Sequence, residues 1–331
     1  MSEPVLFSKP DGLVPGQRRE RVRLPGLDAD AFRHPLDRQA TRNLRRVPGF
    51  DRVAAKFIEW GVERVEYVHL TASAVRVGPV QLPRVHGLLR EACAVLDLPE
   101  PELYVVGGEV NAYTSGHNRP YIVLFTDLVD LMSEDELLGV IAHEAGHIKC
   151  GHVLYKTMAR MLTGAATAAM PRGSALTAVL SLGMRTALKS WDRASELSSD
   201  RAALLATQDL DACIGMMMRL AGGVRSDQMN WQAFLAQARD LDQRVAESRI
   251  ARLTRWQLKV TSTHPLMVER ARLFDQWITG GEPSAIVARY GGVPRQLTPT
   301  GPAAGGADQP AATLAPTRLA PTRLPSPPEA A

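Results

Sequence analysis

Val85, Leu88, Leu89, Ala92 and Leu96 recur at three- and four-residue intervals, the spacing of one face of a helix. Upstream, Phe50, Val53, Phe57, Ile58, Val65 and Val68 approximate the same period and predict a second amphipathic helix. The pattern then changes. Leu103 to Val106, Val110 to Thr114 and Tyr121 to Phe125 are short β-type runs separated by Gly107, Gly108, Gly116 and Asn118, and they predict a small sheet. Ser133 stands three residues before Glu136, a capping-box pattern, and helical periodicity resumes through Leu137, Leu138, Ile141 and Ala142, so a long helix is expected to start near Glu134. From Trp191 to Tyr290 the chain reads as several helices broken at Gly222-Gly223, His264-Pro265 and Gly280-Gly281. The expected class is α+β, mostly helical, with a small antiparallel or mixed sheet.

Three segments depart from this pattern. Residues 1–46 are rich in Pro, Gly, Arg and Asp without apolar periodicity, and read as a polar, basic arm, mobile or loosely draped. Residues 296–331 are rich in Pro, Ala, Thr and Gly, with Leu314 to Arg318 repeated at Leu319 to Arg323; they cannot bury enough apolar surface to offset their ordering entropy, and disorder is expected. That leaves residues 47–295 as the folded domain. Within it, 157–188 is the most apolar stretch, split by Arg172 and ended by Arg185. Neither half reaches the ~20 apolar residues of a spanning helix. Two readings stand: a pair of buried or groove-lining helices, or a membrane-surface or re-entrant hairpin.

Composition narrows the classes. With 45% hydrophobic and 22% charged residues, the chain is neither collagen-like nor wholly disordered. The net charge of +4 comes largely from residues 1–46, and the folded middle is close to balanced, with no basic stripe for a nucleic acid. Cys93, Cys150 and Cys213 are odd in number and scattered, which fits thiols better than a disulfide framework. The first residues lack the charged and apolar runs of a secretory signal, so a cytoplasmic location is expected, with membrane association as the variant.

His143-Glu144-Ala145-Gly146-His147 falls inside the helix that starts near Glu134. Four residues apart, the two histidines share a face and can reach one metal ion. Glu144 projects about 100° away and can sit beside the metal without ligating it, placed to accept a proton from water. A catalytic zinc takes a third protein ligand and keeps a position open. Glu196 and Asp200, one turn apart, are the candidates: one binds metal while the other accepts a hydrogen bond from the outer nitrogen of a ligand histidine. Taken alone, such a pair is commonly a solvated helix face. Cys150 reads as a small core residue, and His152 lies off the ligand face and receives no metal role.

These residues, together with Asn111-Ala112-Tyr113 before them and His264-Pro265 and Glu269-Arg270 after, resemble the HtpX-like zinc metallopeptidases, which include the CAAX prenyl proteases. The resemblance covers about residues 80–280. It implies a gluzincin, zincin-like fold, with an active-site helix beside a sheet whose edge strand holds the peptide. It implies one zinc per chain on His143, His147 and Glu196, Glu144 as base, and Asp200 behind a ligand histidine. Asn111, Ala112 and Tyr113 would lie along the substrate. His264 would stabilise the oxyanion or occupy the open metal position; a structural capping role is the plain alternative. The implied activity is zinc-dependent endopeptidase cleavage of unfolded or extended polypeptide, with a role in protein quality control. The rival is a non-catalytic chaperone or scaffold that keeps zinc for stability.

Overall fold

The computed structural model describes residues 20–50, 52, 54, 62–163, 182–222, 230–254 and 267–291. The helices are α1 (Ala29–Phe32), α2 (Pro35–Arg45), α3 (Val62–Ser73), α4 (Pro83–Leu96), α5 (Thr126–Leu131), α6 (Glu134–Lys149), α7 (Val153–Thr163), α8 (Leu182–Thr207), α9 (Leu210–Gly222), α10 (Trp231–Glu247), α11 (Met267–Thr279) and α12 (Glu282–Tyr290). The strands are β1 (Val75–Arg76), β2 (Glu102–Val106), β3 (Ala112–Ser115) and β4 (Tyr121–Phe125). They form one mixed sheet in the order β1-β2-β4-β3, parallel between β2 and β4 and antiparallel elsewhere. The expected α+β, mostly helical architecture is therefore present, and β3 is one of the sheet's two edge strands, with Thr114 opposite Ile122.

Helix α6 is the axis of the core. Its start is fixed as the sequence predicts: the Ser133 hydroxyl accepts from the Glu136 amide at 3.4 Å, and Glu136 accepts from the Ser133 amide at 2.8 Å. Leu137, Leu138 and Ile141 are fully buried, each worth roughly 1.5–3 kcal/mol in transfer terms. Helices α4, α8 and α9 pack around α6, and β3 runs against α6 and α7. The closest approach is at Gly146, where an added Cβ would stand 2.6 Å from the Ala202 Cβ and 3.1 Å from the Ser199 Cα. Glycine here lets α8 close onto α6 and carry its acidic side chains to the histidines.

Two expectations from the sequence change. Residues 20–46 are not a loose arm: they form α1 and α2 and bury Leu24, Leu27, Phe32 and Leu44. Leu24, Leu27 and Phe32 join the main core and Leu44 joins a second cluster with Phe50 and Trp191; the few apolar residues stand in a predominantly polar sequence, which masked them. Arg21 is satisfied internally, its Nε donating to the Thr207 carbonyl at 2.8 Å and its Nη2 to Asp135 at 2.7 Å. Residues 1–19 lie outside the described residues. In α3, Val65 and Val68 are 72% and 66% exposed instead of core. The helix docks on another face, through buried Leu70 and through Glu66, which accepts from Ser115 and Tyr121 at 2.7 Å each.

The apolar stretch 157–188 enters α7 and leaves on α8, a single helix of 26 residues that continues to the Glu196 turn. Its middle, 164–181, lies outside the described residues, as does the tail from 292 onward. Among the described residues no helix is long and apolar enough to cross a membrane. The break at Gly280-Gly281 is observed, with Gly281 at φ 74° turning α11 into α12, while Gly223 and His264-Pro265 lie outside the described residues.

Candidate metal centre

Helix α6 presents His143 and His147 side by side, their ring centroids 5.0 Å apart. Glu196 descends from α8 between them. Its Oε2 is 3.3 Å from His143 Nε2 and its Oε1 is 3.3 Å from His147 Nε2. Each of the three residues offers one ligand atom, and these atoms lie within 4.8 Å of one another, with all three side chains buried. Four donors held tetrahedrally at about 2.0–2.1 Å from a metal lie about 3.3–3.4 Å apart. The two 3.3 Å separations, each to a different oxygen of Glu196, are close to that edge length.

The electrostatics call for a cation at the same point. Burial lowers the pKa of His143, but Asp200 and Glu196 on its two sides outweigh burial and raise it to about 9. His147 goes the other way, held well below the ordinary range by burial and by the nearby Lys156 charge. A neutral imidazole with Nε2 free is the form that binds metal. The donor set therefore fits a divalent ion.

Each of these three side chains is gripped from outside. Asp200 Oδ1 lies 3.1 Å from His143 Nδ1, and Arg270 Nε donates to Asp200 Oδ2 at 2.8 Å. Burial pushes the Asp200 carboxyl up, yet Arg270 and His143 hold it below the usual range, so it is ionised. Arg270 also lies 3.5 Å from Glu196 Oε2. Lys156 donates to Glu196 Oε1 at 2.5 Å and lies 3.1 Å from Asp192. Behind His147, His152 Nδ1 stands 3.2 Å from His147 Nδ1, and His152 Nε2 stands 3.0 Å from Asp37 Oδ2.

Glu144 is buried beside this group without joining it. Thr114 on β3 donates to Glu144 Oε2 at 2.7 Å, which ties the carboxylate to the edge strand. A cavity of about 150 Å³ opens here. Val110, Leu128, Val140, Met216 and Met267 line it, with Glu144, His143, Glu196 and Arg270 at its polar side. Asn111 and Ala112 also line the cavity. Tyr113 does not; its ring packs against Phe125 at 6.2 Å on the other face of the sheet. Cys150 is buried, its thiol pushed up to about 12 by burial, and takes no part in the cluster. His264 lies outside the described residues.

The sequence missed Asp37, His152, Lys156 and Thr114. Continued helically, His152 would fall about 140° from His147. Helix α6 instead ends at Lys149, and Gly151 at φ 67° reverses the chain so that His152 comes back behind His147. Asp37 carries no local signal, standing in a predominantly polar segment far from the histidines.

The sequence pattern of peptidase family M48 matches residues 79–278. Plastoglobule-localized metallopeptidase 48, chloroplastic, from Arabidopsis thaliana is 38% identical over 292 residues, covering 82% of each chain. Protease HtpX homolog 2 of Methanosarcina mazei is 34% identical over 99 residues, 29% of this chain and 34% of that one. Protease HtpX homolog of Methylibium petroleiphilum is 32% identical over 96 residues, 28% and 34% of the two chains. No solved structure matches. A family pattern over more than half the sequence, a relative alignable along most of it, and three buried donors set for one metal lead to the same assignment: the chain belongs to peptidase family M48, the metal-dependent proteases.

Proposed function

We propose that the protein is an endopeptidase that holds one zinc per chain on His143, His147 and Glu196 and hydrolyses extended or unfolded polypeptides. The observation that carries this reading is the placement of Glu144, buried next to the three donors and tied to the edge strand by Thr114. A zinc kept only for stability needs no such base and is usually closed by four ligands.

The chemistry supplied by zinc in this position is Lewis acidity toward a carbonyl and activation of water near neutral pH. The protein's own groups do the rest. Among the described residues β3 ends the sheet, and the edge it turns away from β4 would offer main-chain donors and acceptors to an extended peptide, which lays its scissile carbonyl across the mouth of the cavity. Glu144 takes a proton from the attacking water as its oxygen bonds to the carbonyl carbon, then passes that proton to the nitrogen that leaves as an amine. Asn111 and Ala112 stand where the peptide would pass. The family resemblance gives His264 either to the oxyanion or to the open metal position. Edge-strand capture needs a chain free to extend, so unfolded polypeptides are the natural substrates, and protein quality control is the role they suit.

Glu144→Gln is expected to retain one zinc per chain and to lose casein cleavage by roughly 10²–10⁴-fold, the range of a general base. His147→Ala should lose both zinc and cleavage. Metal analysis and a chelator-controlled casein assay read the two outcomes, and full cleavage by the Gln variant would discard the mechanism. A folded, zinc-loaded wild type that never cleaves would favour the scaffold reading.

A further inference from the structure

Two buried polar residues that the reaction does not use stand behind His147. His152 has both ring nitrogens engaged, Nδ1 toward His147 at 3.2 Å and Nε2 toward Asp37 at 3.0 Å, and so it faces away from the open side of the metal cluster. Asp37 is 0% exposed and belongs to α2, well upstream of the stretch matched by the family pattern. Its carboxylate is held in turn: Ser198 donates to Oδ2 at 2.6 Å, and Thr41 to Oδ1 at 3.1 Å. Ser198 is fixed by the His34 amide at 3.0 Å. The carboxylate has no freedom to turn away.

The hydrogen-bond roles along this row are set by one end. Asp37, as a carboxylate, only accepts, so His152 donates from Nε2 and keeps Nδ1 as an acceptor. That acceptor takes the proton of His147 Nδ1, which leaves the lone pair on His147 Nε2, the nitrogen that faces Glu196. We propose that Asp37 and His152 are positioning residues that fix the tautomer and ring angle of His147 for metal binding, so that the N-terminal segment completes the metal centre. This rests on the metallopeptidase reading of His147. A partner two residues removed from the ion is more than packing: outer hydrogen bonds to a ligand histidine commonly govern 10–100-fold in metal affinity.

The test uses the full chain and zinc alone, titrated in competition with a chromophoric chelator, with no peptide present. Asp37→Ala and His152→Phe should each weaken zinc about 10–100-fold. The double variant should be no weaker than the worse single variant, because the two act in series; independent structural damage would add. Cobalt substitution gives a second readout: the visible band of the bound ion should change in both variants. Leu44→Ala, which removes a buried α2 side chain outside the row, should lower the melting temperature and leave zinc affinity and the cobalt band as in the wild type. If Asp37→Ala does not fold, Asp37→Asn takes its place, keeping the shape and removing the charge, and should still weaken zinc. Wild-type affinity and an unchanged cobalt band in a folded Asp37 variant would overturn the proposal, as would additive losses. Absence of zinc binding by the wild type would instead overturn the metal reading itself.

Discussion

A methyl group at Gly146 would have nowhere to go, since its nearest neighbours are the Ala202 Cβ at 2.6 Å and the Ser199 Cα at 3.1 Å, both on α8. Within the His-Glu-x-x-His turn, then, the glycine sets helix spacing between the proposed metal ligands and the helix that carries Glu196. Glu196 lies one turn or so from those contacts, and its two 3.3 Å approaches to the histidines leave little room for α8 to retreat. Gly146→Ala is expected to cost about 1–3 kcal/mol in stability through overpacking and to lower the zinc content. Adding Ala202→Gly should recover part of both, because the removed methyl is the closer obstacle. Denaturant unfolding with metal analysis on the three variants checks this, and a Gly146→Ala protein with full zinc would show that α8 can shift freely. Lys156, which donates to Glu196 from α7, and Arg270, which reaches both Glu196 and Asp200 from α11, belong to the same logic. Buried carboxylates this close together need fixed cations to stay ionised and aimed.

At the scale of elements, what was legible in the sequence was what is local. The start of α6, its apolar face and the two histidines one turn apart all follow from residues within a few positions of one another, and the β runs announce themselves by composition and glycine punctuation. Glu196 was one of two candidates by spacing and was singled out only by family resemblance. Residues whose role is set by a distant partner were not legible: Asp37 finds His152 across more than a hundred positions, and α2 carries its core contribution in a predominantly polar sequence. The face chosen by α3 was misread for the same reason, since Glu66 and Leu70, not the valines, meet the sheet. The docking of α2 carries its own pH dependence. His34 caps the helix by accepting from the Leu36 amide at 3.1 Å, and burial together with the Arg201 charge lowers its pKa from 6.5 to about 4. The unfolded chain therefore takes up this proton first, so the contribution is complete above about pH 6.5 and is lost as pH falls from 6.5 toward 4. His34→Asn keeps a capping acceptor that does not titrate. Melting temperatures between pH 7.5 and pH 4.5 should fall less steeply in that variant, and parallel curves would show that His34 does not control this end of the fold.

For the whole molecule, the proposed metal centre is where separate parts of the chain are tied together: α6 and α8 would supply the donors, α7 and α11 bring the cations that hold Glu196, β3 the hydroxyl on Glu144, and α2 the carboxylate behind His152. Several carboxylates converge there on few positive side chains, and His143 responds by rising to about 9. A dication binding the folded chain but not the unfolded one removes that imbalance, and it stabilises by linkage. At zinc one hundredfold above its dissociation constant the gain is about 2.7 kcal/mol. For a domain of this size each kcal/mol is worth roughly 2–4 °C in melting temperature. Chelation should therefore lower the melting temperature of the wild type by roughly 5–10 °C. Glu144→Gln, which leaves the donors in place, should show the same drop. His147→Ala, melting low from the outset, should be indifferent to the chelator. Thermal scans of the three proteins with and without chelator separate these cases, and a His147→Ala protein that still loses stability on chelation would mean that the stabilising ion sits somewhere other than between α6 and α8.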